Sequence, residues 1–201
     1  MDPVTVLGAA GSVIGIVAFG LQLSQILLKY ASQVRSAQES LETTVDEIKL
    51  ITSVLNEIYK FLDQEVANVK HRKSLYFFSE TSLITVKETA DRCLVVFWRV
   101  EATISSTKSV ELERELARRL NEFNQKVHLY TPDSPIQIDS ELTRSRLSLR
   151  ESFGWPFKAS KLDKYCKQLQ RYQDNLVLLL QVVSLGQQRR EWYAVDQLTS
   201  K

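Results

Sequence analysis

The chain has 201 residues, 44% hydrophobic and 25% charged, with a formal net charge of +2. That is enough sequence for one domain with a core of its own, without help from disulfides or metal. Six glycines and four prolines are too few for collagen-like, low-complexity or turn-dense β architectures.

The first element is a helix. Asp2 and Pro3 form its start, an N-cap acceptor followed by proline at a position that needs no N–H. No charged residue occurs from position 3 to 28. Leu7, Ala10, Ile14, Val17, Leu21, Ser24 and Leu28 keep a 3–4 spacing, which predicts a strongly apolar face. Gly8, Gly11, Gly15, Gln22 and Gln25 form the small, weakly polar side. Without a basic leading region the stretch does not read as a signal peptide. About 25 helical residues reach roughly 37 Å, enough to cross an apolar layer of about 30 Å. In the resting protein the expectation is a central bundle helix, buried nearly all round.

The second helix is clearer. Val34, Leu41, Ile48, Leu55, Leu62 and Val69 stand seven apart, with Ala37, Thr44, Ile51 and Ile58 as a second row. This predicts a long amphipathic helix over 32–70 on a left-handed packing seam. The run Leu94-Val95-Val96-Phe97-Trp98 has strand propensity. However, Leu83, Val86, Ala90, Cys93, Phe97, Val100 and Ile104 carry the heptad through it, predicting a third helix over 74–105. Ser109 is placed to start a fourth, with a face of Leu112, Leu116, Leu120, Phe123 and Val127, ending before Pro132. A loop over 131–156 contains Pro132, Pro135, Gly154 and Pro156. In the last helix, Ser160 and Asp163 suggest a capping box. Leu162, Leu169, Leu176 and Val183 recur every seven, and Gly186 is the expected stop. The reading is all-α, a bundle of about five helices over 1–186 with a tail over 187–201.

Chemistry is sparse. Cys93 and Cys166 have no CxxC partner and read as two buried free thiols in a reducing compartment. His71 and His128 do not stand at metal-ligand spacing, so no metal site is expected. Gly11 and Gly15 lack the strand context and the Lys-Ser/Thr ending of a phosphate loop, and read as close helix packing. No residue presents itself as nucleophile or general base, so no catalytic residue, cofactor or small-molecule substrate is expected. The positive charge is uneven: residues 144–171 hold eight basic side chains against Glu151 and Asp163. Lys158, Lys161, Lys164, Lys167 and Arg171 are three or four apart, a face suited to an anionic surface such as lipid headgroups. No base-reading or stacking groups accompany them, so nucleic acid is not expected.

Two segments carry a family resemblance. Met1-Asp2-Pro3 before a long uncharged Gly/Ala/Val/Leu helix resembles the start of fungal HeLo-like N-terminal domains. Those domains precede fungal STAND and NACHT NOD-like receptors and also occur in proteins labelled after the azaphilone pigment biosynthesis cluster. Gly154-Trp155-Pro156-Phe157, ahead of the last amphipathic helix, is similar to a Trp-Pro-Phe segment in that family, and Cys93 fits the pattern of its third helix. The resemblance covers residues 1–185. It implies a HeLo-like bundle and a non-enzymatic signalling or cell-death effector of incompatibility type, cytoplasmic until it relocates to the plasma membrane.

In such proteins the first helix leaves the bundle and inserts into the membrane. Carried over, the insertion element is Val4 to Leu28, with Val4, Leu7, Gly11, Ile14, Gly15, Val17, Phe19, Leu21 and Leu28 as its candidate residues. Expected partners are other copies of the chain, a NOD-like receptor or another protein, and an anionic membrane on activation. Residues 1–201 depart from that pattern in one respect: they contain no nucleotide-binding, ankyrin or prion-like segment of the kind that triggers such proteins. The other reading is a soluble helical adaptor that docks a protein partner without membrane activity.

Overall fold

The computed structural model describes residues 3–32, 37–70, 78–105, 109–127 and 155–199. Asp2, Val34, His71, His128 and the expected loop through Pro132, Pro135 and Gly154 lie outside the described residues. Among the described residues five helices follow in order: α1 Pro3–Ala31, α2 Gln38–Lys70, α3 Glu80–Ile104, α4 Ser109–Val127 and α5 Trp155–Thr199. Among the described residues there is no strand, and the protein is an all-α bundle. α1 packs on α2 and α3, α5 packs on the same two helices, and α4 lies against α3 and α1. α1 and α5 meet at one end, where the rings of Tyr30 and Trp155 are 6.4 Å apart.

The heptad of α2 is the seam of the bundle. Leu41, Ile48, Leu55 and Leu62 are buried, as are Ala37, Thr44, Ile51 and Ile58 from the second row. The outward side carries Glu42, Asp46, Lys49, Lys60 and Asp63, all exposed. The strand-like run in the middle of α3 is helical because it is enclosed from several sides. Leu94, Val96, Phe97 and Trp98 are all buried, and Phe19 of α1 stands 6.4 Å from Phe97 and 6.5 Å from Trp98, ring to ring.

α3 starts later than position 74. Ser79 is its N-cap, with its side chain accepting from the Ser82 N–H at 3.1 Å. Phe78 and Leu83, the positions of a hydrophobic staple, are both buried in the core. The Phe78 N–H donates to the buried carboxylate of Glu65 on α2, at 3.2 Å. The entry to α3 is therefore fixed from two helices.

Two expectations about α5 are corrected. The helix begins at Trp155 rather than near Ser160, with Pro156 in the first turn, where N–H groups have no intrahelical acceptor. Asp163 is not a capping-box acid; it accepts from Lys167 at 2.8 Å, one turn on. Gly186 does not end the helix, which continues to Thr199. Glycine stops a helix only by turning left-handed, and in a helical conformation it costs about 1 kcal/mol against alanine.

The buried face of α1 is only partly the expected one: Ala10, Val17 and Ser24 are buried, but the larger residues of that face are not. Val6, Val13 and Leu27, with Ala9, Ile16, Leu23 and Tyr30, form two buried rows, and Gly20 completes the first. The row of Leu7, Ile14, Leu21 and Leu28 lies to the side: the first two are half-buried and the last two exposed. A helix apolar all round offers no contrast from which its inward face can be read. Close approach settles it: a Cβ on Gly20 would lie 2.3 Å from Thr52 Cγ2 of α2 and 2.9 Å from Phe97 Cε2 of α3. α1 can nestle between these helices only with glycine there.

Candidate membrane-facing site

The outward row of α1 is uncharged where a solvated helix is ordinarily charged. Val4, Ala18, Leu21, Gln25 and Leu28 are exposed, and the first charge is Lys29. Leu21 is 49% exposed and Val4 62%. Val4–Ala31 is long and apolar enough to cross a membrane by length and composition, a property shared with core helices of soluble proteins. Of the candidate insertion residues, Gly11, Gly15, Val17 and Phe19 are buried, Leu7 and Ile14 are half-buried, and Val4, Leu21 and Leu28 face outward. The proposed insertion element thus has one face in the protein core and an uncharged one toward solvent.

Polar contacts hold this helix at its middle. Ser12, buried on α1, donates from Oγ to Asp91 Oδ1 of α3 at 3.1 Å. Asp91 in turn takes Lys87 Nζ at 2.7 Å, and the same ammonium donates to Asn124 Oδ1 of α4 at 2.8 Å. One polar chain therefore links α1, α3 and α4. The motif at the start of α5 fastens the other end. Trp155 is buried against Tyr30, and Lys158 Nζ donates to the Ile104 carbonyl at 3.4 Å, a cation at the C-terminus of α3.

The basic residues of α5 do not form one uniform face. Lys158 is turned toward α3, and Lys167 is paired with Asp163 one turn before it. Lys161, Lys164 and Arg171 are exposed. Phe157, a residue of the opening motif, is 79% exposed and stands one turn before Lys161. An exposed aromatic beside lysines suits the boundary between water and lipid.

The thiols are structural. Cys93 and Cys166 are buried and free. Burial pushes both thiols up, Cys93 the more strongly; Cys166 Sγ lies 3.6 Å from Thr44 Oγ1, to which it donates. Among the described residues no three His, Cys, Asp or Glu side chains come together as a metal cage.

The sequence reading missed a further surface. Leu178, Val182, Leu185 and Trp192 are exposed along the outer side of α5. Their 4–3–7 spacing was visible beside the inward heptad, but Gly186 as a helix stop hid it.

Fold and surface together define an all-α bundle whose N-terminal helix is apolar on its inner face and uncharged on its outer one. Compared with protein-family models, curated proteins and solved structures, the chain has no significant match.

Proposed function

We propose that this protein is a non-enzymatic signalling or cell-death effector that acts by releasing α1 into an anionic membrane, as its resemblance to HeLo-like fungal domains implies. The observation that carries the reading is the uncharged outward row of α1. Burial accounts for apolar residues on the inner face; it gives no reason for Leu21 and Leu28 on the outer one.

Energetics set the condition for release. Val6, Val13, Ile16, Leu23 and Leu27 are fully buried. Exposing five such side chains to water costs on the order of 10 kcal/mol. A bilayer returns that cost, since it exchanges one apolar surrounding for another, so release needs lipid at hand. Lys161, Lys164, Arg171 and Phe157 would hold the bundle at an anionic surface while this occurs, moving a cytoplasmic protein to the plasma membrane. The contacts among Ser12, Asp91, Lys87 and Asn124 would keep α1 in place until then.

The test is leakage of vesicles containing anionic lipid, with the chain added alone and artificially clustered. Leu21→Asp and Leu28→Asp leave the buried rows intact; toward the bilayer interior Leu21→Asp adds up to about 2.5–3.5 kcal/mol, and Leu28→Asp, at the end of the element, adds less. Wild type should leak, Leu21→Asp should not and Leu28→Asp should leak less than wild type, with circular dichroism unchanged. Asp91→Ala should leak more readily than wild type. A clustered, folded wild type that never leaks would sink the reading.

The inner face of α1 favours a second reading, a soluble adaptor with α1 permanently in the core. Hydrogen exchange separates the two. Amides of residues 5–28 that stay protected to the level of global unfolding, with or without lipid, select the adaptor.

A further inference from the structure

We propose that the outer side of distal α5 is a self-association surface, joining two copies of this chain through antiparallel pairing of their α5 helices. The inference does not rest on membrane activity. The starting point is the length of α5. Its 45 residues are the most of any helix here, against 33 in α2. Its inward heptad is buried as far as Val183. From there the helix continues through residues 184–199.

Leu178, Val182, Leu185, Arg189 and Trp192 stand four, three, four and three residues apart. This is the a/d spacing of a second seam, on the side opposite Leu169, Leu176 and Val183. Leu178 is 61% exposed, Val182 69%, Leu185 61% and Trp192 79%. Together they offer on the order of 500 Å² of apolar surface per copy. Two copies would bury about 1,000 Å², the lower bound for a specific interface. The area therefore fits a weak, concentration-dependent dimer.

The flanks choose the occupant. Residues beside an a/d seam usually carry the charges that select a different partner. Here Gln181 and Gln188 hold the flank on one side, and both are exposed and uncharged. Nothing there repels a second copy or selects an oppositely charged protein.

Arg189 chooses the direction. In a parallel pair it would face its own equivalent, like charge on like charge. In an antiparallel pair with a two-fold axis between Leu185 and Arg189, Arg189 lies against the partner's Leu185 and Val182 against the partner's Trp192. The aliphatic stem of Arg189 then covers leucine while its guanidinium stays at the wet edge.

Sedimentation of the full chain over a concentration series tests this. Wild type should show a reversible monomer–dimer equilibrium. Val182→Glu and Leu185→Glu should each weaken it at least about tenfold. Both sites are exposed, so helix content should not change. Orientation is read by disulfide cross-linking, with little background because Cys93 and Cys166 are buried. Gln188→Cys, near the axis, should link to itself and Leu178→Cys should not. A chain monomeric at every concentration overturns the proposal, as does a dimer indifferent to both glutamates. Equal cross-linking at both positions overturns the antiparallel pairing. A monomer whose vesicle binding falls with Val182→Glu assigns the row to lipid and also overturns it. Leakage is a separate readout, so its failure leaves this result standing.

Discussion

Gly20→Ala is the sharpest probe of how α1 is seated. The added methyl would stand 2.3 Å from Thr52 Cγ2, well inside the 3.4 Å at which ordinary contact begins. Thr52 has little freedom to yield. It is buried, and its hydroxyl donates toward the Ile48 and Lys49 carbonyls at 2.8 and 2.9 Å. Phe97, at 2.9 Å, is fully buried behind it. Overpacking of this kind costs about 1–3 kcal/mol, and alanine regains about 1 kcal/mol of helix propensity. The net expectation is a loss of up to about 2 kcal/mol, or up to roughly 8 °C in Tm for a chain of this length. Gly8→Ala is the control, because its methyl would meet only Val127 Cγ1, at 4.0 Å. That variant should gain stability. Urea and thermal unfolding followed by circular dichroism measure both. In the double variant Gly20→Ala/Thr52→Ser the nearest clash is gone and the hydroxyl remains, so part of the loss should return. If Gly20→Ala is as stable as Gly8→Ala, the close approach of α1 to α2 and α3 is refuted.

Three further outcomes are expected. Gly186→Ala should stabilise distal α5 by up to about 1 kcal/mol, because nothing lies within 4 Å of the new methyl; slower amide exchange around position 186 is the readout. Arg119→Ala removes a guanidinium 3.2 Å from the buried Glu101 carboxylate and 4.8 Å from the Trp98 ring centre. A loss of about 2–4 kcal/mol and a shifted tryptophan emission should follow, and unchanged stability would show the pair to be idle. Burial raises the Cys93 thiol in the folded state, so its contribution to stability is complete below the ordinary thiol value. It is lost as pH rises from there toward the raised folded value. Stability should fall in mildly alkaline solution, and less steeply in Cys93→Ala; equal slopes in wild type and variant would contradict this.

The elements differ in how far the chain's own pattern determines them. The inward face of α2 is legible because apolar and charged residues alternate with sharp contrast, so Leu41, Ile48, Leu55 and Leu62 could face only one way; its start is not, since the helix begins at Gln38 rather than at 32. The helical state of 94–98 is likewise determined by the heptad running through it, against local strand propensity. The basic α5 residues are legible as charges but not as a surface. Lys158 and Lys167 find partners on α3 and at Asp163, and only placement in the bundle decides that. α1 shows the limit. Its sequence determines that it is a helix free of charge, but a helix apolar on every side carries no phase. The inward face is selected by contact: Gly20 admits Thr52 and Phe97, which turns Leu21 and Leu28 outward. Gly186 is ambiguous for a related reason. Glycine permits either a stop or continuation, and the backbone around it makes the choice. Periodicity records how a residue differs from its neighbours along the chain. Which face meets a neighbouring helix, and which apolar rows stay uncovered, depends on volumes contributed by segments far apart in sequence.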